Sequence, residues 1–248
     1  MARVIESLAH DAVTELRIAR PDRRNALDTE HCRDLHAALD EAVAGGARAI
    51  VLTGEGTAFC SGADLHTVGD AGFLDALYAM LQRLVAVEVP VVAAVQGPAI
   101  GAGTQLAIAA DLRVCSEQAV FGLPTAALGL AVDPWTVRRL ALLAGGGPAR
   151  RMLLACERLD VTAAAGLVDR VAEDAPASAL AWAAEMAELA PLTLAYNKLA
   201  VNRLLEDPTD PETLDAVAAG FSACWSSEDL AEGRRAREER RAPRFVGK

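Results

Sequence analysis

One local pattern occurs twice and restricts this chain more than any other: an apolar run of strand length, a glycine-rich turn, then a helical segment. The first copy is IVLTGEGTAFCSGADL, residues 50–65, and the second is VVAAVQGPAIGAGTQLA, residues 91–107. Strands this uniformly apolar belong in a sheet that is covered on both faces. Helices must therefore flank the sheet, and a composition that is 52% hydrophobic but only 4% aromatic suits such a close-packed α/β interior.

The remaining periodicity agrees. Alternating segments around 4–8 and 12–18 read as a hairpin with His10 and Asp11 at its turn. RPDRRNALD, residues 20–28, is a polar loop whose last residue, Asp28, can cap a helix over 29–44. Strands are predicted at 47–54, 91–97, 111–116 and 119–122. Helices are predicted at 72–87, 101–110, 133–144, 148–156, 162–166, 177–190, 192–205, 210–225 and 228–240. Strand–helix alternation followed by helices alone gives an α/β core with a helical C-terminal region.

Several function classes are disfavoured. No apolar run approaches the ~20 residues of a membrane span, and MARVIESLAH lacks the apolar stretch of a signal peptide. The five cysteines are scattered, odd in number and never spaced CxxC, which points to a reduced, cytoplasmic protein. His31 and His36 lie five apart on one helix and make no metal motif. A net charge of −10 argues against nucleic-acid binding. The tail RRAREERRAPRFVGK, residues 234–248, runs against that balance with seven basic residues to two acidic. It reads either as a solvated helix end or as an anion contact.

The second glycine turn has its own chemistry. Gly101, Ala102 and Gly103 open a helix, where N–H groups lack intrahelical partners and the helix dipole is positive. Such a turn can hold an anion or an oxygen that gains charge. It can equally be a place where helix and strand pack closely. It is not a dinucleotide fingerprint, since Thr104 and Gln105 follow with no third glycine, and no GK[ST] marks a P-loop.

RPDRRNAL, AFCSGADL, GPAIGAGTQLAIAADLRV and FGLPTAALGL, in that order and spacing, resemble the crotonase (enoyl-CoA hydratase/isomerase) superfamily, and the likeness runs over nearly the whole chain to the basic C-terminus. It is strongest to hydratase-like actinobacterial paralogues. The resemblance implies an α/β fold of the ClpP/crotonase type, a spiral of ββα units. An acyl-CoA-binding core over 1–190 would precede a helical trimerisation region over 191–248, with trimers often paired into hexamers. It implies a coenzyme A thioester as ligand, with no permanently bound cofactor and no metal. The thioester oxygen would be held by the backbone N–H groups of Ala63 and Ala102. CoA contacts would fall on Arg24, Ala26, Ala63, Asp64, Leu65, His66, Gly101 and Ala102, and on Arg240 for the CoA of an adjacent subunit. Guanidinium groups suit phosphate.

Two departures from the family pattern bear on activity. Hydratases of this family place glutamates at two positions that here hold Gln105 and Thr125. Neither an amide nor an aliphatic hydroxyl is a general base near neutral pH, and each such role is worth ~10²–10⁴ in rate. Hydration is therefore expected to be very slow. Asp133, in LGLAVDPW, sits where some isomerases of the family carry a working aspartate. It is also well placed to cap the helix that begins at Pro134. Leu130 and Trp135 are expected to flank the acyl end. Three readings remain: an acyl-CoA-binding protein that hydrates poorly, an isomerase using Asp133, and a non-catalytic interaction subunit of a lipid-metabolic complex. A hydratase that recruits another base is the residual case.

Overall fold

The computed structural model describes residues 4–64 and 72–206, then 215–216, 219–220, 223 and 226–248. The CoA contacts expected at Leu65 and His66, and most of the helix expected over 210–225, lie outside these residues.

The chain opens with an antiparallel hairpin, β1 (Ile5–His10) and β2 (Val13–Ile18), with Asp11 in the left-handed region at its turn (φ 52°). Helix α1 (Thr29–Ala44) starts where the sequence places it. The Asp28 carboxylate accepts from the N–H groups of Glu30 and His31 at 2.9 and 3.0 Å, a cap worth about 1 kcal/mol. Strands β3 (Ala49–Gly54) and β4 (Val91–Val95) are buried along their whole length, and α2 (Phe73–Ala86) lies between them in sequence. The chain then makes β5 (Pro98–Ile100), α3 (Ala102–Ala109), β6 (Leu112–Cys115) and β7 (Val120–Gly122). Next come α4 (Pro134–Ala144), α5 (Gly146–Leu154), β8 (Leu159–Asp160) and β9 (Arg170–Val171). Helices α6 (Ala175–Ala187), α7 (Pro191–Glu206) and α8 (Glu228–Glu239) follow.

Six strands form one sheet in the order β1-β2-β3-β4-β6-β9, parallel from β2 onward, and β5-β7-β8 form a second, smaller sheet. Alternation along the strands sorts the side chains into two cores. Leu16, Ile18, Ile50, Leu52, Val91, Ala93 and Val95 share one core with α1, α2 and α3. Val13, Ala49, Val51, Val92, Ala94 and Val114 share the other with α6. Helix α6 meets the sheet through Ala175, Ala179, Ala183 and Ala187, spaced by four and all small, so its backbone can lie close.

The switch from large to small sheet creates the site. After β4 the chain leaves the large sheet at Gly97, where any side chain would lie 2.0 Å from the Thr57 carbonyl oxygen. It enters β5, pairs with β7, and turns at Gly101 into α3. The first glycine turn comes to the same place: Cys60 pairs with Ala99, its N–H donating to the Pro98 carbonyl (3.2 Å) while its own carbonyl accepts from Ile100 (2.9 Å).

Strands β5, β8 and β9 are two or three residues long and have no periodicity to read. The helix expected over 162–166 is instead a 3-10 turn at Ala165–Leu167, after β8.

Candidate functional site

The two glycine turns meet backbone to backbone. A Cβ on Gly103 would lie 2.1 Å from the Cys60 carbonyl oxygen. One on Gly62 (φ 107°) would lie 2.8 Å from the Ile100 oxygen and 3.7 Å from the Ala102 nitrogen. Only glycine tolerates these approaches. Gly101 adopts φ 57°, ψ −119°, and its N–H donates to the Gly122 carbonyl at 2.8 Å. Thr104 locks the same turn. Its fully buried hydroxyl lies 2.7 Å from the Ala99 oxygen and 2.9 Å from the Gly122 oxygen, and it accepts from the Gly122 N–H at 3.1 Å.

The register orients two N–H groups. Leu27 pairs with Ala63 in a parallel bridge, donating to the Gly62 carbonyl (2.8 Å) and accepting from the Asp64 N–H (2.7 Å). Bonds to the residues on either side turn the N–H and C=O of Ala63 itself away from Leu27. Ala102 is the first residue of α3, so no helix carbonyl is available to its N–H. Two amides free of secondary-structure partners, on adjoining turns, can stabilise an oxygen on which charge develops.

Both border a cavity of about 590 Å³. Ser61, Gly62, Gly101, Gln105 and Thr125 lie along it, and an apolar wall includes Phe73, Leu77, Ile100, Leu130 and Val132. Tyr78 also faces it, and Arg158 stands at its edge with its side chain 3.4 Å from the Cβ position of Gly122. Among the described residues that line it there is no carboxylate, imidazole or thiol.

A polar chain closes one side. The side-chain N–H of buried Gln105 donates to the Thr136 hydroxyl at 2.9 Å, and Thr136 donates onward to the Asp133 carboxylate. The Tyr78 hydroxyl is bonded by the Gln105 side chain and the Asp133 backbone. Burial and the Asp133 charge push the phenol above its ordinary pKa, while those two hydrogen bonds oppose the shift.

The other sequence-derived positions surround the cavity. The Arg24 carbonyl accepts from the Ser61 N–H at 2.9 Å, so the RRNAL loop backs the first glycine turn, with the Arg24 side chain exposed. Buried Asn25 braces the same region through the carbonyls of Glu55 and Ala58. Ala26 is buried, and its carbonyl accepts from Arg20 at 3.0 Å. Asp64 is buried and paired with Arg20 at 3.1 Å, which fixes the loop. Arg240 is exposed at the end of α8. Asp133 meets neither sequence reading in full. It occupies the N-cap of α4, but its side chain takes the Thr136 hydroxyl rather than a backbone N–H, and it is not part of the cavity lining. Leu130 lines the cavity, whereas Trp135 packs on the core with the Arg139 guanidinium 5.6 Å from its ring centroid.

Tyr78 and Thr136 were not legible from sequence. Tyr78 interrupts the apolar stripe of α2 beside Leu77, and Thr136 sits one turn after an ordinary helix start. Cys60, beneath the first turn, is no alternative nucleophile, because burial pushes its thiol up to about 12.

The family model described as enoyl-CoA hydratase/isomerase matches residues 9–248. A Mycobacterium tuberculosis protein named "Probable enoyl-CoA hydratase echA6" is 44% identical over 242 residues, covering 96% of this chain and 97% of that one. "Probable enoyl-CoA hydratase echA8" of the same species is 33% identical over 238 residues, covering 92% and 91%. Among solved structures, an enoyl-CoA hydratase subunit from Geobacillus kaustophilus superposes with TM-score 0.88 at 34% identity, covering 99% of this chain and 98% of that one. An enoyl-CoA hydratase from Mycobacterium tuberculosis gives 0.87 at 28%, covering 99% of each.

Proposed function

Because this chain belongs to the enoyl-CoA hydratase/isomerase family, we propose that its cavity binds acyl-CoA thioesters with the carbonyl oxygen between the N–H groups of Ala63 and Ala102, and that it adds water to enoyl-CoA only very slowly. The observation that carries this reading is the pairing of an intact turn geometry with neutral side chains, Gln105 and Thr125, where a hydratase needs carboxylates. A hole of this kind polarises the thioester and stabilises an enolate. Nothing in an amide or a hydroxyl then removes a proton from water.

The CoA moiety is placed along Arg24, Ala26, Asp64 and Gly101, with Arg240 offering a guanidinium to the phosphate of a CoA on an adjacent subunit. Residues 1–190 form the binding core in this reading. Residues 191–248 supply the contacts of a homotrimer, or of a hexamer built from two trimers. No permanent cofactor is needed, since the thioester itself is the ligand. Among the described residues no helix is long and apolar enough to cross a membrane. The isomerase reading loses support, because the Asp133 carboxylate is engaged by Thr136 and lies outside the lining.

Thermal melting tests the binding. A ligand at 100 times its Kd stabilises by about 2.7 kcal/mol, so C4 to C16 acyl-CoAs should raise the Tm and free CoA should raise it less. Equal curves with and without acyl-CoA would overturn the proposal.

A further inference from the structure

Helix α7 is attached by polar bonds rather than by apolar packing. Among its described side chains only Asn202 is buried, and none belongs to either hydrophobic core. Hollows of about 400 and 280 Å³ flank the helix, and Lys198 and Asn202 border both. These two residues are four apart and so share one face. That face meets the end of α2, whose last carbonyls have no donor within their own helix. The Lys198 ammonium donates to the Leu84 carbonyl at 3.4 Å and to the Val89 carbonyl at 3.0 Å, and it pairs with Asp111 at 2.8 Å. The Asn202 side-chain N–H donates to the Val85 carbonyl at 3.3 Å. Burial lowers the Lys198 pKa and the Asp111 charge opposes that shift, so the enclosed ammonium depends on its partners.

The other end of Asn202 leads back to the large cavity. Its carbonyl oxygen accepts from the Arg139 guanidinium at 3.1 Å, and Arg139 Nε donates to the Ile108 carbonyl in the last turn of α3. Arg139 lies three residues after Thr136 on α4, and the Thr136 hydroxyl accepts from Gln105, which lines the cavity. Helix α4 therefore holds α3 at two points and passes one of them on to α7. Gln105, Thr136, Arg139 and Asn202 are all buried. No described residue of α7 lines the cavity itself. Fixing such side chains costs rotamer freedom. A ligand that immobilises Gln105 meets part of that cost in advance, and the rest of the chain then orders more readily.

We propose that α7 is a detachable strap whose docking is coupled to occupancy of the large cavity, with Asn202 as the link. The inference rests on the acyl-CoA reading above. Coupling of this kind is reciprocal, so a filled cavity holds α7 down and a docked α7 tightens binding by the same factor. Lys198 and Asn202 then have separable roles. Lys198 anchors α7 to α2 and Asp111 without touching α4, whereas Asn202 joins α2 to α4.

Hydrogen exchange by mass spectrometry, with octanoyl-CoA as the probe and calorimetry to record its binding, tests this. In the wild type the probe should slow exchange of peptides from 191–206 by ~10-fold, within the usual range of coupling between sites, and should slow β3 and β4 less. Asn202→Leu should abolish the effect of the probe on α7. Lys198→Met should speed exchange of α7 but leave it sensitive to the probe. A wild type that binds octanoyl-CoA with α7 exchange unchanged overturns the inference and leaves the binding reading standing. Equal slowing in β3, β4 and α7 also overturns it, since that is general stabilisation. A wild type that does not bind the probe overturns the binding reading, and the coupling falls with it. Full sensitivity to the probe in Asn202→Leu removes Asn202 as the link. The wild-type measurement decides the coupling whatever the folding of the variants.

Discussion

The side-chain amide of Gln105 donates to the hydroxyl of Thr136 at 2.9 Å, and both side chains are buried. Thr136 has one proton, which goes to Asp133. Its oxygen therefore needs a donor on the other side, and an amide supplies one. A carboxylate at 105 could not. The neutral residue is thus wired into its surroundings, and the cavity is built for an amide at this position.

Gln105→Glu should for this reason be destabilising. The new carboxylate would face the lone pairs of Thr136 and compete with Asp133 for one proton, at a cost of about 1–3 kcal/mol. The deficit should shrink as pH falls, because a protonated carboxyl can donate again. Adding Asp133→Asn should restore much of the loss at neutral pH, since Thr136 could then donate to Glu at 105. Urea titrations of the three proteins would check this. Equal midpoints for wild type and Gln105→Glu would contradict it.

Close approach of the two glycine turns makes a sharp contrast between two other positions. Gly103→Ala puts a methyl 2.1 Å from the Cys60 carbonyl oxygen, a backbone atom that cannot move without its turn. It should lower the Tm by many degrees and abolish the acyl-CoA shift. Gly147→Ala, in the first turn of α5 with nothing within 4 Å, should be neutral or stabilising by up to ~1 kcal/mol. Differential scanning calorimetry on both separates contact from mere loss of glycine.

Thr104→Val keeps the shape of the residue and removes the hydroxyl that joins the second turn to β7. The Ala99 and Gly122 carbonyls lose the single proton within reach of both, and the Gly122 N–H loses its acceptor, so about 1–3 kcal/mol should follow. Thr104→Ser should recover most of it. If the valine variant melts with wild type, the hydroxyl does not hold the turn.

Acid should release the C-terminal tail only well below the usual carboxylate range. Glu232 accepts from Arg241 at 2.6 and 3.1 Å and from the Arg244 N–H at 2.9 Å, and it also pairs with Arg235. These bonds, Arg241 first, hold its pKa far below 4.5. A depressed carboxylate contributes fully above its unfolded value and loses that contribution as pH falls through the folded one. The tail should therefore stay docked at pH 5. Glu232→Gln should free it at neutral pH, seen as faster tryptic cleavage after Arg241 and Arg244. Unchanged cleavage would show that Asp229, which accepts from the N–H groups of Val246 and Gly247, suffices.

What the sequence conveyed follows from how local each signal is. Helix α1 was readable to the residue because its cap, Asp28, and its apolar stripe are contiguous. The two glycine turns were readable for the same reason. Strands β5 and β8 were not, since a three-residue edge strand that begins with Pro98 and a two-residue strand exist only through their partner β7. The polar chain was hidden differently. Gln105 and Thr136 are 31 residues apart, and they meet only once α3 and α4 pack. Asp133 was recognisable as a helix start, but the residue that takes its carboxylate could be known only from the fold.

Crotonyl-CoA is the decisive substrate for the claim about water addition. In the proposed binding mode the Ala63 and Ala102 N–H groups polarise the enoyl thioester, so binding is expected. Hydration then needs a group to take a proton from water near C3 and one to deliver a proton to C2. Tyr78 could serve the second role, but Gln105 and Thr125 cannot serve the first. Loss of one such group costs ~10²–10⁴ in rate, so wild-type turnover should fall at least that far below an active hydratase of the family. Asp133→Asn should leave the residual rate where it is, because the carboxylate is bonded to Thr136 outside the cavity lining. Gln105→Glu with Thr125→Glu should raise the rate only when Asp133→Asn is added, for then Thr136 can orient the new carboxylate. Absorbance at the enoyl-thioester band follows all of these reactions. A wild-type rate equal to that of the active hydratase would mean that some other group takes the proton from water, and the reading of Gln105 and Thr125 would fall.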